Sequence, residues 1–151
     1  MDFSYDDAIK FFTDYFDTFN KYGQDPATIH KLDDYFAPDL EFIPYVADVS
    51  PEHGRQAFYN VLTSHPSGYE KLTPEDIVYD EKRKIAAIMI LAEISDSKTG
   101  ELLVKKYYFV RYPLAPDENG KMKIKELKLF WELLPAGSME LNDVFARDWK
   151  K

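Results

Sequence analysis

Three short connections constrain this chain more than any other feature. Between Tyr69 and Leu134 there are four strand-like segments, Glu70 to Tyr79, Lys84 to Ile94, Leu102 to Tyr112 and Met122 to Leu134. They are separated only by Asp80-Glu81-Lys82-Arg83, Asp96 to Gly100 and Pro113 to Gly120. Parallel neighbours need a crossover of about a dozen residues or more, so connections this short predict an antiparallel meander. The residues before Tyr69 carry helical patterning. Helices first and strands second define an α+β architecture, and 151 residues suit one domain built on one core.

From Tyr5 to Tyr22, Ala8, Ile9, Phe12, Tyr15, Phe16 and Phe19 fall at i, i+3, i+4 and i+7 spacing, with Asp7, Lys10, Asp14, Asp17 and Lys21 on the opposite side. This predicts an amphipathic helix with an aromatic stripe, closed by Gly23. Asp25-Pro26 predicts the start of a second helix bearing Ile29, Leu32, Tyr35 and Phe36, which Pro38 stops. A short strand is expected over Leu40 to Val46, held to an edge or a bulge by Pro44. Ser50-Pro51 is then read as opening a third helix, with Gly54, Phe58, Val61, Leu62 and His65 on one face and a break at His65-Pro66-Ser67-Gly68.

Two strands carry unusual parity. Lys84 to Ile94 is apolar on both faces, with Ala86, Ile88, Ile90 and Ala92 on one and Ile85, Ala87, Met89 and Leu91 on the other. Helices on one side of a sheet leave its other face wet, so the second face calls for a cover, either the C-terminal segment or another subunit. In the final strand Met122 and Ile124 have one parity while Leu127, Leu129, Trp131 and Leu133 have the other, which predicts a bulge near Lys125 or Glu126. After Pro135-Ala136-Gly137, Ser138 is positioned to cap a short helical extension over 138–151 carrying Leu141, Val144, Phe145 and Trp149.

Composition narrows the function. Lys plus Arg number 19 and Asp plus Glu 27, a formal charge of −8, so the chain lacks the broad positive field that holds nucleic acid or an anionic membrane surface. The longest apolar run, Ile85 to Ala92, has eight residues, against about 20 for a membrane span. The N-terminus is acidic where a signal peptide would be basic, so the cytoplasm is the expected location. There is no cysteine, and His30, His53 and His65 are dispersed, so neither a thiol nucleophile nor a metal centre is expected, and no cofactor is implied.

The order of elements resembles the nuclear-transport-factor-2-like superfamily, which includes SnoaL-like polyketide cyclases, ketosteroid isomerases and scytalone dehydratases. The resemblance spans roughly Tyr5 to Leu134. It is carried by Tyr35-Phe36-Ala37-Pro38-Asp39-Leu40-Glu41-Phe42, by Gly54-Arg55-Gln56-Ala57-Phe58 and by Gly120-Lys121-Met122-Lys123-Ile124-Lys125-Glu126. It implies a strongly curved antiparallel sheet wrapped around the N-terminal helices into a cone, a ligand cavity at the open end, and a homodimer through the outer sheet face. The family's catalytic sets do not carry over intact. Tyr15 is similar in position to the isomerase tyrosine, but Pro44 stands where that family's base stands, and Lys106 to Tyr108 lie near the second donor. Leu127-Lys128-Leu129 replaces the cyclase His-Trp-Asp-type run, Arg111 lacks the flanking aspartates of the epoxide hydrolases, and only one histidine, His65, lies on an inward helical face.

Chemistry must therefore come from tyrosine, a carboxylate or a single histidine. Tyr15 is a candidate hydrogen-bond donor to a developing oxyanion, with His65 or Glu126 as base. Each has a plainer reading beside it: Tyr15 as core, His65 as a helix cap, Glu126 as a solvated residue at a bulge. Phe12, Phe16, Phe19, Phe42, Phe58, Tyr108 and Trp131 are the expected cavity wall. Two functions remain open, proton-transfer chemistry on a small apolar or aromatic molecule (isomerase, cyclase or dehydratase type), and a non-catalytic module that binds a ligand or a protein partner.

Overall fold

A computed structural model describes residues 2–46, 49–132, 136–138, 140 and 142. Helix α1 spans Tyr5–Tyr22, as its periodicity predicts. Its ends follow from local chemistry: the Ser4 hydroxyl accepts from the Asp7 N–H while the Asp7 carboxylate accepts from the Ser4 N–H, and the Gly23 N–H donates to the Phe19 carbonyl at 2.8 Å. Gly23 is needed for room rather than for its backbone angles, since a Cβ there would lie 2.8 Å from the Phe19 oxygen. The stripe residues Ala8, Phe12, Tyr15, Phe16 and Phe19 are buried, and each large one contributes about 1.5–3 kcal/mol by leaving water.

The second helix is shorter than its pattern suggests. A single 3-10 segment covers Ile29–Asp34, and Phe36, expected on that helix, instead opens strand β1 (Phe36–Tyr45). The reason is distant in sequence. Phe36 pairs with Ile124, and the Ile124 N–H donates to the Tyr35 carbonyl at 2.7 Å, so tertiary pairing overrides the local signal. Pro38 accordingly sits inside the strand, where the register with the facing strand is interrupted. A two-residue strand β2 (Glu52–His53) precedes helix α2 (Arg55–Leu62), so Ser50-Pro51 does not open that helix. Gly54 caps it at φ 90°, a left-handed conformation that favours glycine, and gives its N–H to the Leu40 carbonyl at 2.7 Å. Helix α2 is tied down by Asp33, which accepts from the Tyr59 hydroxyl at 2.7 Å and lies 3.2 Å from Arg55 Nε, while Arg55 Nη1 donates to the Phe36 carbonyl at 3.0 Å.

The meander follows as β3 (Gly68–Asp80), β4 (Ile85–Asp96), β5 (Leu102–Pro116) and β6 (Met122–Trp131), antiparallel at every step. Among the described residues, six strands form one sheet in the order β2-β1-β6-β5-β4-β3. One pairing departs from the antiparallel expectation: β1 runs parallel to β6, its chain having returned through β2, α2 and the whole meander. The bulge in β6 is present. Between the pairs Arg111↔Lys128 and Leu114↔Ile124, two β5 residues face Lys125, Glu126 and Leu127, and the buried set switches from Met122 and Ile124 to Leu127 and Leu129.

The two faces of β4 have different fates. Ala86, Ile88, Ile90 and Ala92 are buried in the core under α1, whereas Met89 on the other face is 37% exposed, beside Tyr107, Phe109, Phe130 and Tyr45, all more exposed still. The helix expected from Ser138 onward, with Leu141, Val144, Phe145 and Trp149, falls outside the described residues, as do Leu133 and Leu134. Among the described residues no helix is long and apolar enough to cross a membrane.

Candidate functional site

A cavity of about 580 Å³ lies between α1, α2 and the inner face of the sheet. Its apolar wall includes Phe19 from α1, Phe42 and Pro44 from β1, Phe58 from α2 and Leu127 and Leu129 from β6. The β6 bulge is what turns these last two leucines inward. Exposed Ser64 and His65 stand at the rim, beyond the end of α2.

The polar end is built by strands β3 and β5. Glu70 lines the cavity, and its carboxylate accepts a hydrogen bond from the Tyr108 hydroxyl. Burial pushes the Glu70 carboxyl above its ordinary value, while the Tyr108 hydrogen bond and the charges of His65 and Lys106 act in the opposite direction. The Tyr108 phenol is itself held in its neutral form by burial and by the adjacent carboxylate. Deeper in, the rings of Tyr15 and Tyr112 meet edge to face with centroids 6.1 Å apart, and burial raises both phenols well above their usual range. Trp131 closes the site against Tyr108, ring centroids 5.5 Å apart, with Lys106 Nζ 4.5 Å from the Trp131 ring centre. The buried indole N–H of Trp131 has no hydrogen-bond acceptor among the described residues.

The expected residues separate into two groups. Tyr15, His65, Phe19, Phe42, Phe58, Tyr108 and Trp131 all line the cavity. Phe12 and Phe16 do not. They sit in the closed core, where Phe12 packs on Tyr112 at 5.1 Å and Phe16 on Tyr15 at 4.8 Å. Glu126 points elsewhere, because the bulge places it on the outer face, where it lies 3.1 Å from Arg111 Nη1 and 3.8 Å from Lys128 Nζ. It has no access to the cavity and is not placed to act as a base there.

Two carboxylates line the cavity, Glu52 of β2 and Glu70 of β3; sequence reasoning passed over both, and the one that accepts from a phenol is Glu70. Its one signal is parity, since Glu70 shares a face with the buried Leu72. That signal is faint because Glu70-Lys71-Leu72-Thr73-Pro74-Glu75-Asp76 is polar on both faces. No group of His, Cys, Asp and Glu suited to a metal ion occurs among the described residues.

No family model and no curated protein matches the sequence. Solved structures match in shape. A protein of Jannaschia sp. CCS1, assigned as a SnoaL-like polyketide cyclase, aligns with a TM-score of 0.62 at 11% identity, over 83% of this chain and 85% of its own. SalBIII, an epoxide hydrolase/cyclase-like enzyme of pyran ring formation in the polyether salinomycin, aligns at 0.59 with 19% identity, over 83% and 90%. A ketosteroid isomerase-like protein of Erwinia carotovora atroseptica SCRI1043 aligns at 0.58 with 12% identity, over 84% and 94%. Identities this low speak to fold and not to activity. With α1 laid across the inner face of an open, mixed six-stranded sheet, the chain has the fold of the SnoaL-like, nuclear-transport-factor-2-like superfamily.

Proposed function

We propose that this protein binds a small, largely apolar carbonyl compound in the cavity and moves a proton on it, with Glu70 as the base. The observation that carries this reading is a carboxylate set in an apolar cavity and raised by burial, touched by a neutral phenol. The Glu70 carboxylate takes a proton from the carbon next to the carbonyl. The C–H bond breaks, an O–H bond forms on Glu70, and the electron pair moves onto the carbonyl oxygen as an enolate. Tyr15 and Tyr112, neutral phenols deep in the cavity, supply donors for that oxygen, and Glu70 returns its proton to the same or a conjugated carbon. His65, at the rim, and Glu52 are further titratable groups within reach of an entering molecule.

The test is deuterium exchange at the α-carbons of 2-tetralone in D₂O, followed by proton NMR. The protein accelerates exchange over buffer, and Glu70→Gln loses roughly 10²–10⁴-fold of that acceleration while still binding the probe. Binding of 2-tetralone with no acceleration would leave the non-catalytic reading in possession of the site. The reading extends to assembly: the apolar outer face of Met89, Tyr107, Phe109 and Phe130 is proposed to pair with a second copy.

A further inference from the structure

Among the described residues, strand β3 is an edge strand, with no neighbour beyond it in the sheet. Edge strands leave a row of unpaired N–H and C=O groups. Here two carboxamides, Asn20 in the last turn of α1 and Gln24 just past its Gly23 cap, take the place of the missing strand. Gln24 Oε1 accepts from the Glu70 N–H at 2.7 Å and Gln24 Nε2 donates to the Glu70 carbonyl at 2.7 Å. Asn20 repeats the pattern two residues along, accepting from the Leu72 N–H at 2.9 Å and donating to the Leu72 carbonyl at 2.8 Å. Asn20 and Gln24 are four residues apart across the capped end of α1, where Gly23 still has helical backbone angles, while Glu70 and Leu72 are two residues apart on a strand. The two spacings, about 6 Å and about 7 Å, nearly coincide, which lets one helix end serve one strand edge.

This clamp acts at the residue that carries the cavity carboxylate. We propose that Gln24 is a positioning residue for Glu70, fixing the backbone on both sides of its Cα so that the side chain is directed into the cavity and kept from solvent. The inference rests on the reading of Glu70 as the base. With β4 holding the other edge of the strand, a single-bond anchor would leave one of the two peptide groups of Glu70 free to tilt outward. Two opposed bonds on one residue remove that freedom, and Gly23, which has no room for a side chain, sets where Gln24 begins. The groups that act on the Glu70 carboxyl come from every side: Tyr108 and Lys106 on β5, His65 after α2, and the more distant phenols Tyr15 on α1 and Tyr112 on β5.

The experiment is a pH titration of the Glu70 carboxyl by ¹³C NMR in the full chain, wild type against Gln24→Ala and Asn20→Ala, with the thermal midpoint of each recorded. Both variants lose stability. Only Gln24→Ala moves the Glu70 midpoint downward, toward the value of about 4.3 for a free glutamate, and slows 2-tetralone exchange roughly tenfold. Equal displacement in the two variants, or none in Gln24→Ala, overturns the positioning role and leaves Glu70 as the base. A wild-type midpoint already in the ordinary range overturns both readings together.

Discussion

The Tyr108 hydroxyl donates to the carboxylate of Glu70 from two strands away, spanning β4 on the inner face of the sheet. That bond favours the charged carboxylate against the burial that opposes it. Tyr108→Phe removes the donor without changing the ring, so the Glu70 carboxyl rises further. Carboxyl ¹³C titration reads the change, and a midpoint that falls or stays fixed would contradict the geometry.

Glu70 also makes stability depend on pH. Because its folded value lies above the ordinary one, its contribution to stability is fully present below the ordinary value and is lost as pH rises through the raised folded value. Glu70→Gln removes the penalty for holding a charge there. The variant is expected to melt at a higher temperature than wild type at about pH 8, with the gap closing toward about pH 4. Thermal melts followed by circular dichroism at several pH values test this.

Asp33 joins two elements, since it lies on the 3-10 segment before β1 and holds α2 by accepting from Tyr59 and pairing with Arg55. Asp33→Ala leaves a phenol and a partly buried guanidinium with one partner fewer each. A loss of about 1–3 kcal/mol is expected in urea unfolding, whereas exposed Asp14→Ala, which breaks only a solvent-screened surface pair with Lys10, leaves the unfolding midpoint almost unchanged.

On the outer face, Tyr45 and Phe130 stack with ring centroids 4.4 Å apart and planes 3° from parallel, although both are about half exposed. Met89 and Phe109 adjoin them across the sheet. Phe109→Lys is expected to convert a dimer to a monomer in sedimentation velocity without loss of helix or strand signal. A wild-type chain that sediments as a monomer at about 100 μM would remove the proposed interface.

What the sequence disclosed divides along a physical line. Helix α1 was legible to the residue because its stripe and Gly23 are local, and the β6 bulge was legible because parity along one strand is local too. Phe36 was misplaced because its partner, Ile124, lies far along the chain. The same distance hid the parallel run of β1 on β6. In the candidate site, residues on apolar patterns such as Tyr15, Phe42 and Trp131 were found, while Glu70 was concealed in a strand whose inner face is marked by little besides Leu72. Glu126 looked similar on paper, but the bulge it helps to form turns it outward.

The parallel contact of β1 with β6 has a kinetic consequence. Phe42 meets Leu127 only after most of the chain has been gathered, so this seam costs the largest loop closure in the fold and forms late. Both residues are cavity wall. A molecule held between them would fasten the seam from inside, and contacts absent from the folding transition state are felt chiefly in the rate of opening. Its signature would be a slower unfolding limb with the refolding limb unchanged, so that the ligand acts as a clasp on the finished protein and not as a guide to its assembly.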